Sequence, residues 1–267
     1  MRKGPFFRNL LEDLGIEFGG GECVDLAKRF GGLEAVSRVT LKVAAGERRA
    51  VIGPNGAGKT TLFRLISGEF PPTSGTLRLF GRDITRLPCH RRAALGLGGT
   101  FQVTNLFPTM TVADNLVTAA LALRGTKFSM ARPLSTYRDI YAAADETLKR
   151  VGMIEKRAWP VRVLSHGEQR QIEIAMALVS NPQVLLLGEP TAGLPPAESG
   201  LMTATLEKLD PKITILIIEH DMDVAFRLAG RITVLHHGRV FFEGTPGEVR
   251  GHVGEREIYF GAEVKSC

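Results

Sequence analysis

The sequence predicts an α/β protein with a parallel sheet at its core and a mostly helical segment inserted into that core. Continuous Val, Ile and Leu runs at Val184–Leu187 and within Ile213–His220 are typical of parallel strands that helices cover on both faces. A short strand in Glu47–Gly53 leads through a glycine-rich turn into a helix. Between about residues 103 and 180, the apolar residues recur mostly at helical spacing.

The remaining elements are assigned from periodicity and turn signals. In chain order they are a helix at Thr61–Gly68, an antiparallel strand at Ser74–Gly81, helices from about Thr111 to Val151 and at Gln169–Ser180, and a hairpin at Arg231–Gly244. Gly68 is the predicted C-cap of the first helix, because glycine accepts the left-handed conformation there without strain. His237 and Gly238 form the predicted hairpin turn.

Length and composition limit the classes of protein to consider. The chain has 267 residues, 44% of them hydrophobic, which is enough for one large or two small domains with a real core. No apolar run approaches the roughly 18 residues that a membrane-spanning helix needs. Acidic residues at Glu12, Asp13 and Glu17 interrupt any signal-peptide core, so residues 1–21 are predicted to be a non-cleaved extension. The three cysteines lack metal-ligand or redox spacing, which fits a reducing cytoplasm.

The formal net charge of +6 is compatible with nucleic acid, a membrane surface or a phosphorylated ligand. The basic residues are scattered, and no basic tract is interleaved with aromatic residues. We therefore expect a solvated basic surface and no nucleic-acid partner.

The stretch GPNGAGKTT matches the phosphate-binding pattern G-x-x-x-x-G-K-[ST] and lies between a predicted strand and helix, as the mechanism requires. Lys59 is expected to reach the β- and γ-phosphates of a nucleotide, and the Thr60 hydroxyl to bind Mg²⁺. The alternative is a glycine-rich turn without a ligand. The predicted nucleotide-binding residues of this P-loop are Gly53, Pro54, Asn55, Gly56, Ala57, Gly58, Lys59, Thr60 and Thr61.

Four further motifs stand in order along the chain: GTFQ with Gln102, LSHGEQRQ at Leu164–Gln171, LLLGEP at Leu185–Pro190, and IIEHD with His220. With the P-loop, they resemble ATP-binding-cassette (ABC) ATPases over about residues 22–262. The resemblance implies a RecA-like P-loop NTPase core with an antiparallel β subdomain and an inserted helical subdomain at about 103–180. Residues 263–267 are then a C-terminal tail.

The segments KRFGGLEAV, TFQVTNLFPTMTVADNL and IIEHDMDVAF resemble the branched-chain (hydrophobic) amino acid uptake subfamily in particular. Amide and urea importers are close relatives of that subfamily. The resemblance implies ATP and Mg²⁺ as cofactors, two transmembrane permeases, a second ABC ATPase and an external solute-binding protein. It places the chain on the cytoplasmic face of the membrane, attached through its permeases.

The resemblance also assigns roles to residues outside the P-loop. Phe30 would stack on adenine, although a lone phenylalanine is also common in a core. Gln102 would contact Mg²⁺ and the attacking water. Ser165 and Gly167 would cover the γ-phosphate bound by the opposite subunit, and Ser165 with Glu168 also matches a helix capping box.

Glu189 would be the general base that polarises the attacking water, and His220 would hold the γ-phosphate; the alternative for His220 is an ordinary hydrogen-bonded histidine. Since both residues and Gly53 follow predicted strands, we expect them to face one ligand. Three positions depart from the family pattern. Gly188 replaces a magnesium-orienting aspartate, Pro195 replaces a polar residue at the dimer interface, and Gly99 replaces an arginine.

The sequence thus predicts an ATPase that powers import of branched-chain or other hydrophobic amino acids. Losing a residue that supports a metal site typically costs about 10–100-fold in affinity or activity, so fast hydrolysis is in question at Gly188. A weakly hydrolysing regulatory subunit, paired with a competent homologue, is therefore an open alternative. An ABC ATPase acting on nucleic acid or ribosomes is a third, less favoured because such proteins tend to carry two cassettes in one chain.

Overall fold

The computed structural model describes residues 20–100, 106–122 and 137–254. The strands are β1 (Gly21–Phe30), β2 (Leu33–Val43), β3 (Arg48–Ile52), β4 (Ser74–Leu79), β5 (Arg82–Asp83), β6 (Leu97–Thr100), β7 (Val184–Gly188), β8 (Thr214–Ile218), β9 (Arg231–His236) and β10 (Arg239–Gly244). The helices are α1 (Lys59–Ser67), α2 (Cys89–Ala94), α3 (Val112–Ala122), α4 (Arg138–Arg150), α5 (His166–Leu178), α6 (Pro196–Glu207), α7 (Met222–Leu228) and α8 (Pro246–Gly254).

The strands form two sheets. The larger has the order β10-β9-β3-β8-β7-β6, with parallel pairing from β9 to β6 and an antiparallel β9–β10 hairpin. The smaller is antiparallel, with the order β2-β1-β4-β5. The parallel core, the antiparallel strand at β4 and the hairpin are thus confirmed. The antiparallel partners β1 and β2 had not been assigned individually from the sequence.

Strands β7 and β8 are inner strands of the larger sheet, and all five residues of each are buried. Their continuous apolar composition follows from helices packing on both faces. The two strands pair in parallel register, with Gly188 opposite Ile218. Glu189 and Glu219 therefore leave the sheet side by side at its carboxyl edge.

Helix α1 begins at Lys59, two residues before the predicted start, because the glycine-rich turn continues directly into the helix. Gly68 is its left-handed C-cap, as predicted, with φ 87°. Helix α5 begins at His166 rather than at Gln169, because Ser165 and Glu168 form a capping box that fixes the first turn.

The inserted helices α3, α4 and α5 share one core with β7, β8 and α6. The predicted helical span is confirmed at Val112–Ala122 and Arg138–Arg150, while residues 123–136 lie outside the described parts of the chain. Fully or almost fully buried members of this core include Val112, Leu116, Val117, Ile140, Ala144, Leu148, Ile172, Ile174, Leu185, Leu187 and Met202. Apolar burial of this kind stabilises each helix far more than its intrinsic propensity does.

Among the basic residues that the structure describes, Arg92 and Arg49 are almost completely buried. Arg92 donates to Leu65 O at 2.6 Å and to Ile66 O at 2.7 Å, so it caps the carbonyl end of α1 with a positive charge. Burial lowers the pKa of Arg92 to about 10. Arg49 donates to Glu47 Oε1 at 2.6 Å. A guanidinium satisfied by several acceptors can be buried in this way.

Within residues 20–100, 106–122 and 137–254, none of the helices has the length and apolar character needed to span a bilayer. The predicted extension and tail fall largely or wholly outside these ranges. The domain boundaries at residues 21 and 262, and that of the helical subdomain, stay predictions.

Candidate functional site

The P-loop runs from the end of β3 to the start of α1, and close backbone packing requires its glycines. A Cβ added at Gly53, where φ is 150°, would lie 2.2 Å from Leu235 O. A Cβ at Gly58, where φ is 97°, would lie 2.4 Å from Ala35 O. Both distances are far below van der Waals contact. The shape of the loop therefore depends on glycine at these positions.

Lys59 is buried in the first turn of α1, and its ammonium group folds back over the loop. Its Nζ donates to Gly53 O at 2.6 Å and to Pro54 O at 2.9 Å. Burial lowers the pKa of Lys59, and the negative charge of Glu189 acts in the opposite direction. The N-cap, Gly58, offers no side-chain acceptor to the first-turn amides. The helix start thus has the donors and the dipole that favour a phosphate.

A second contact holds the P-loop from the β9–β10 hairpin. Gly238 N donates to Ala57 O at 3.0 Å, and Gly238 O accepts from Ser37 N at 2.7 Å. The φ of Gly238 is 74°, and a Cβ there would lie 2.9 Å from Ala35 O. The sequence predicted this turn but not its contact with the P-loop, since that contact joins segments about 180 residues apart.

Glu189 and His220 meet at the carboxyl edge of the sheet. Glu189 Oε1 lies 2.9 Å from His220 Nε2. The backbone of Glu189 has a φ of 51°, a left-handed conformation that side chains such as glutamate rarely adopt. Together with the charge that Glu189 exerts on Lys59, this geometry brings three predicted site residues to one place. Strained backbone often marks a functional site, so the outlier supports a role for Glu189.

Sequence reasoning missed Glu219, which is buried next to this pair. Its carboxylate accepts from Thr191 Oγ1 at 2.8 Å, from Thr191 N at 3.2 Å and from His220 N at 3.2 Å. The pKa of Glu219 is raised above its usual value, because the effect of burial is larger than the opposite effect of these donors. The signal that indicates Glu189, a carboxylate at the end of an apolar strand, is also present at Glu219 in the stretch IIEHD.

The start of α5 presents Ser165 and His166 to solvent. The predicted capping box is present: Glu168 N donates to Ser165 Oγ at 3.3 Å, and Ser165 N donates to Glu168 Oε2 at 3.0 Å. A Cβ at Gly167 would lie 2.2 Å from Glu198 Oε2, so the helix start packs against the segment that follows β7. Its exposed face is open to a second molecule.

Phe30 ends β1 with 47% of its surface exposed, so the alternative that it is a core residue is wrong. Its ring lies 5.6 Å from that of Phe70 in an edge-to-face arrangement, and Lys28 Nζ lies 5.3 Å from its centroid. Gln102 and its neighbours from 101 to 105 lie outside the described residues. The roles of Phe30 and Gln102 stay predictions.

The positions that depart from the family pattern have ordinary backbone environments. Gly188 is the last, buried residue of β7 and has no left-handed φ. Pro195 is the N-cap of α6 and Pro196 its first residue, where the fixed φ of proline favours a helix start. Gly99 lies in β6 opposite Leu186.

Among the described residues, no cluster of three or more His, Cys, Asp or Glu side chains could hold a metal ion. Mg²⁺ in nucleotide sites is usually held by few protein groups together with phosphate oxygens and water. Thr60 in the first turn of α1 and the nearby carboxylate of Glu189 fit that mode better than a dedicated metal cage.

A P-loop on a parallel sheet, with a carboxylate and an imidazole at the ends of the adjacent strands, defines the class of P-loop nucleotide hydrolases. The family model described as "ABC transporter" matches residues 36–192. The chain belongs to the ABC transporter family, and as an ATP-binding cassette of that family it is an ATPase.

Several named proteins are similar to most of this chain. "High-affinity branched-chain amino acid transport ATP-binding protein BraF" of Pseudomonas aeruginosa is 37% identical over 90% of this chain and 97% of its own length. LivG of Escherichia coli K12, which has the same descriptive name, is 37% identical over 88% of this chain and 95% of its own. "Ribose import ATP-binding protein RbsA 1" of Burkholderia thailandensis is 35% identical, over 86% of this chain and 44% of its own.

Solved structures confirm the fold. A nucleotide-free ATP-binding cassette from an ABC transporter matches with a TM-score of 0.82 and 25% identity, covering 93% of this chain and all of that one. A dimeric bacterial ABC transporter cassette matches with a TM-score of 0.73 and 26% identity, covering 85% of this chain and 98% of that one. These similarities do not favour the regulatory-subunit or nucleic-acid alternatives, and nothing in them indicates an impaired ATPase.

Lys59→Ala is expected to abolish Mg-ATP binding or weaken it severely, because it removes the positive charge that is predicted to reach the β- and γ-phosphates. Isothermal titration calorimetry with Mg-ATP measures the effect. The matched control is Lys212→Ala, which removes an equal charge from an exposed loop and should leave affinity unchanged. Wild-type affinity in Lys59→Ala would contradict the assignment of the P-loop.

Proposed function

We propose that this chain is the ATP-hydrolysing subunit of an importer for branched-chain or other hydrophobic amino acids. The observation that carries the ATPase role is the convergence of Lys59, Glu189 and His220 at one edge of the sheet. The solute class rests on the 37% identity to BraF and LivG, which extends over nearly the full length of each protein.

The P-loop binds the nucleotide in this proposal. Lys59 exchanges its bonds to the loop carbonyls for the β- and γ-phosphates, and the first-turn amides of α1 donate to the same anion. Thr60 and Gln102 hold Mg²⁺, which when bound neutralises part of the phosphate charge. Phe30, exposed at the end of β1, stacks on the adenine ring.

Glu189 acts as the general base that orients and deprotonates the attacking water. His220, whose Nε2 is 2.9 Å from Glu189 Oε1, holds the γ-phosphate and fixes the direction of the carboxylate. A base must be within hydrogen-bond reach of both the water and its orienting partner. The left-handed backbone at Glu189 directs this side chain away from the buried strand that precedes it.

A second cassette completes each site. Ser165, exposed at the start of α5, and Gly167 beside it cover the γ-phosphate bound to the opposite P-loop. The second cassette is either an identical chain or a homologue. The match to a dimeric bacterial cassette supports this arrangement.

An exposed apolar surface on the helical part of the chain supports docking to two permeases. Phe107 and Trp159 are each 47% exposed, and Val163 is 55% exposed. Backbone bonds from Val112 N to Trp159 O at 2.9 Å and from Arg162 N to Pro108 O at 2.9 Å join the segments that carry them. Docking there places the chain at the cytoplasmic face of the membrane, where an external solute-binding protein delivers the solute from the opposite side.

The test of the solute is uptake by the reconstituted transporter, with the chain, its permeases and the binding protein in liposomes. Leucine, isoleucine and valine should accumulate in an ATP-dependent manner, and Lys59→Ala should abolish accumulation. The panel includes simple amides, urea and ribose, since close or related systems carry such solutes. ATP-dependent uptake of urea, amides or ribose alone would overturn the solute assignment and leave the ATPase role in place.

Glu189→Gln is expected to trap a stable dimer with Mg-ATP, because it keeps the phosphate-binding groups and removes the base. Size-exclusion chromatography with light scattering should show monomer without nucleotide and dimer with Mg-ATP. The double variant Glu189→Gln with Lys59→Ala is the control and should stay monomeric. A monomer of Glu189→Gln at saturating Mg-ATP would exclude a homodimer, in which case the second cassette is a homologue.

Gly188→Asp is expected to raise ATPase activity about 10-fold, equivalent to about 1.4 kcal/mol of barrier. The new carboxylate adds an oxygen acceptor and a negative charge at the end of β7, close to the phosphates and Mg²⁺. The gain should be larger at low magnesium concentration. Gly188→Asn, of equal size but uncharged, is the matched control. Equal rates in wild type and Gly188→Asp across a magnesium titration would show that the missing carboxylate does not limit hydrolysis.

A further inference from the structure

The turn after Glu189 begins in a strained conformation and needs external support. Glu189 has a φ of 51°, and such a backbone conformation persists only where the surrounding structure imposes it. Two backbone bonds contribute: Glu189 N donates to Ile218 O at 2.8 Å, and Ala192 N donates to Glu189 O at 3.1 Å. The first of these holds the residue to β8, while the second closes the turn on itself.

One side of this turn borders open space. A cleft of about 430 Å³ lies between the starts of α6 and α7, and Thr191, Glu219, Ser199 and Asp223 are among the residues that line it. Packing on that side therefore does not prevent the turn from moving. Hydrogen bonds are therefore needed to keep Glu189 in place.

Glu219 supplies the side-chain tether. Its Oε1 accepts both Thr191 N at 3.2 Å and Thr191 Oγ1 at 2.8 Å, while its Oε2 accepts His220 N at 3.2 Å. The backbone of Glu219 is itself anchored, since its N–H donates to Val51 O of β3 at 3.3 Å. One buried carboxylate thus joins the turn after Glu189 to the segment that presents His220.

We propose that Glu219, through Thr191, is a positioning residue that holds Glu189 and His220 in their mutual hydrogen-bond geometry. The inference rests on the catalytic roles proposed above for those two residues. Glu219 does not touch the nucleotide in this scheme. Its loss therefore changes the rate of hydrolysis and leaves nucleotide affinity in place. The side-chain bonds of Glu219 described above go to Thr191 and His220, and not to Lys59 or the P-loop.

The experiment measures kcat and KM for Mg-ATP in the reconstituted transporter, together with Mg-ATP affinity and melting temperature of the full chain. Glu219→Gln should lower kcat about 10-fold, because an amide N–H replaces an acceptor that His220 N requires. Thr191→Val should lower kcat about 3-fold, and Thr191→Ser should restore it, since only the latter keeps the hydroxyl donor. Mg-ATP affinity should stay within about 2-fold throughout.

The matched control is Thr205→Val. Thr205 is buried to the same degree as Thr191, but its hydroxyl donates to Leu201 O within α6 at 2.9 Å and does not reach Glu219. It should leave kcat unchanged. A loss of kcat in Thr205→Val equal to that in Thr191→Val would assign the effect to general packing and overturn the proposal.

A double-mutant cycle tests whether Glu219 acts through the pair. In the His220→Ala background, Glu219→Gln should cost at least about 3-fold less than it does in wild type, because the partner it aligns is absent. Independent, multiplicative losses would overturn the proposal. If Glu219→Gln fails to fold, the Thr191→Val and Thr191→Ser pair decides the question by itself.

Failure of the inference and failure of the proposed function give different results. If the wild-type chain does not hydrolyse ATP in the reconstituted transporter, both fail. If wild type hydrolyses ATP and His220→Ala slows it, while the Glu219 and Thr191 variants retain wild-type kcat, only the positioning role is wrong.

Discussion

Parallel hydrogen bonding among β3, β8 and β7 is the constraint on which the rest of the structure depends. It brings the carboxyl ends of strands separated by more than 130 residues to one edge of the sheet. The P-loop follows β3, Glu189 follows β7, and Glu219 with His220 follows β8. Because the register is fixed by backbone bonds within a buried sheet, the sheet sets the backbone positions from which Glu189 and His220 project.

The phosphate-binding loop has a different kind of support, namely contacts with its backbone from both sheets. The carbonyl oxygen of Leu235 in β9 packs against Gly53, and the carbonyl oxygen of Ala35 in β2 packs against Gly58. These contacts leave no volume for a Cβ. The loop shape that suits a phosphate is therefore a result of how the antiparallel sheet lies against the parallel one, and glycine is the residue that this packing permits.

Two buried charges, those of Arg92 and Glu219, lie where backbone groups can satisfy them. Arg92 closes the carbonyl end of α1, whose other end carries Lys59, so the P-loop helix has a positive group at each terminus for different reasons. At the carbonyl end, the positive charge of Arg92 interacts favourably with the negative end of the helix dipole. At the amide end, the charge of Lys59 adds to the attraction of the helix for an anion. Glu219 follows the same rule with opposite sign, since N–H and O–H donors surround it.

The sequence by itself determined the elements whose signals are local. Continuous apolar runs gave β7 and β8, the glycine-lysine pattern between a strand and a helix gave the P-loop, and the spacing of five motifs gave the family. It did not determine the contacts that join distant segments. In these contacts Gly238 binds the P-loop, Arg92 binds the carbonyl end of α1, and Glu219 binds Thr191. Such contacts depend on strand order and sheet-to-sheet packing, and neither leaves a periodic trace in one sequence. Tertiary structure alone decided which arginines and which carboxylates are buried, because burial depends on what packs above a residue and not on its neighbours in the chain.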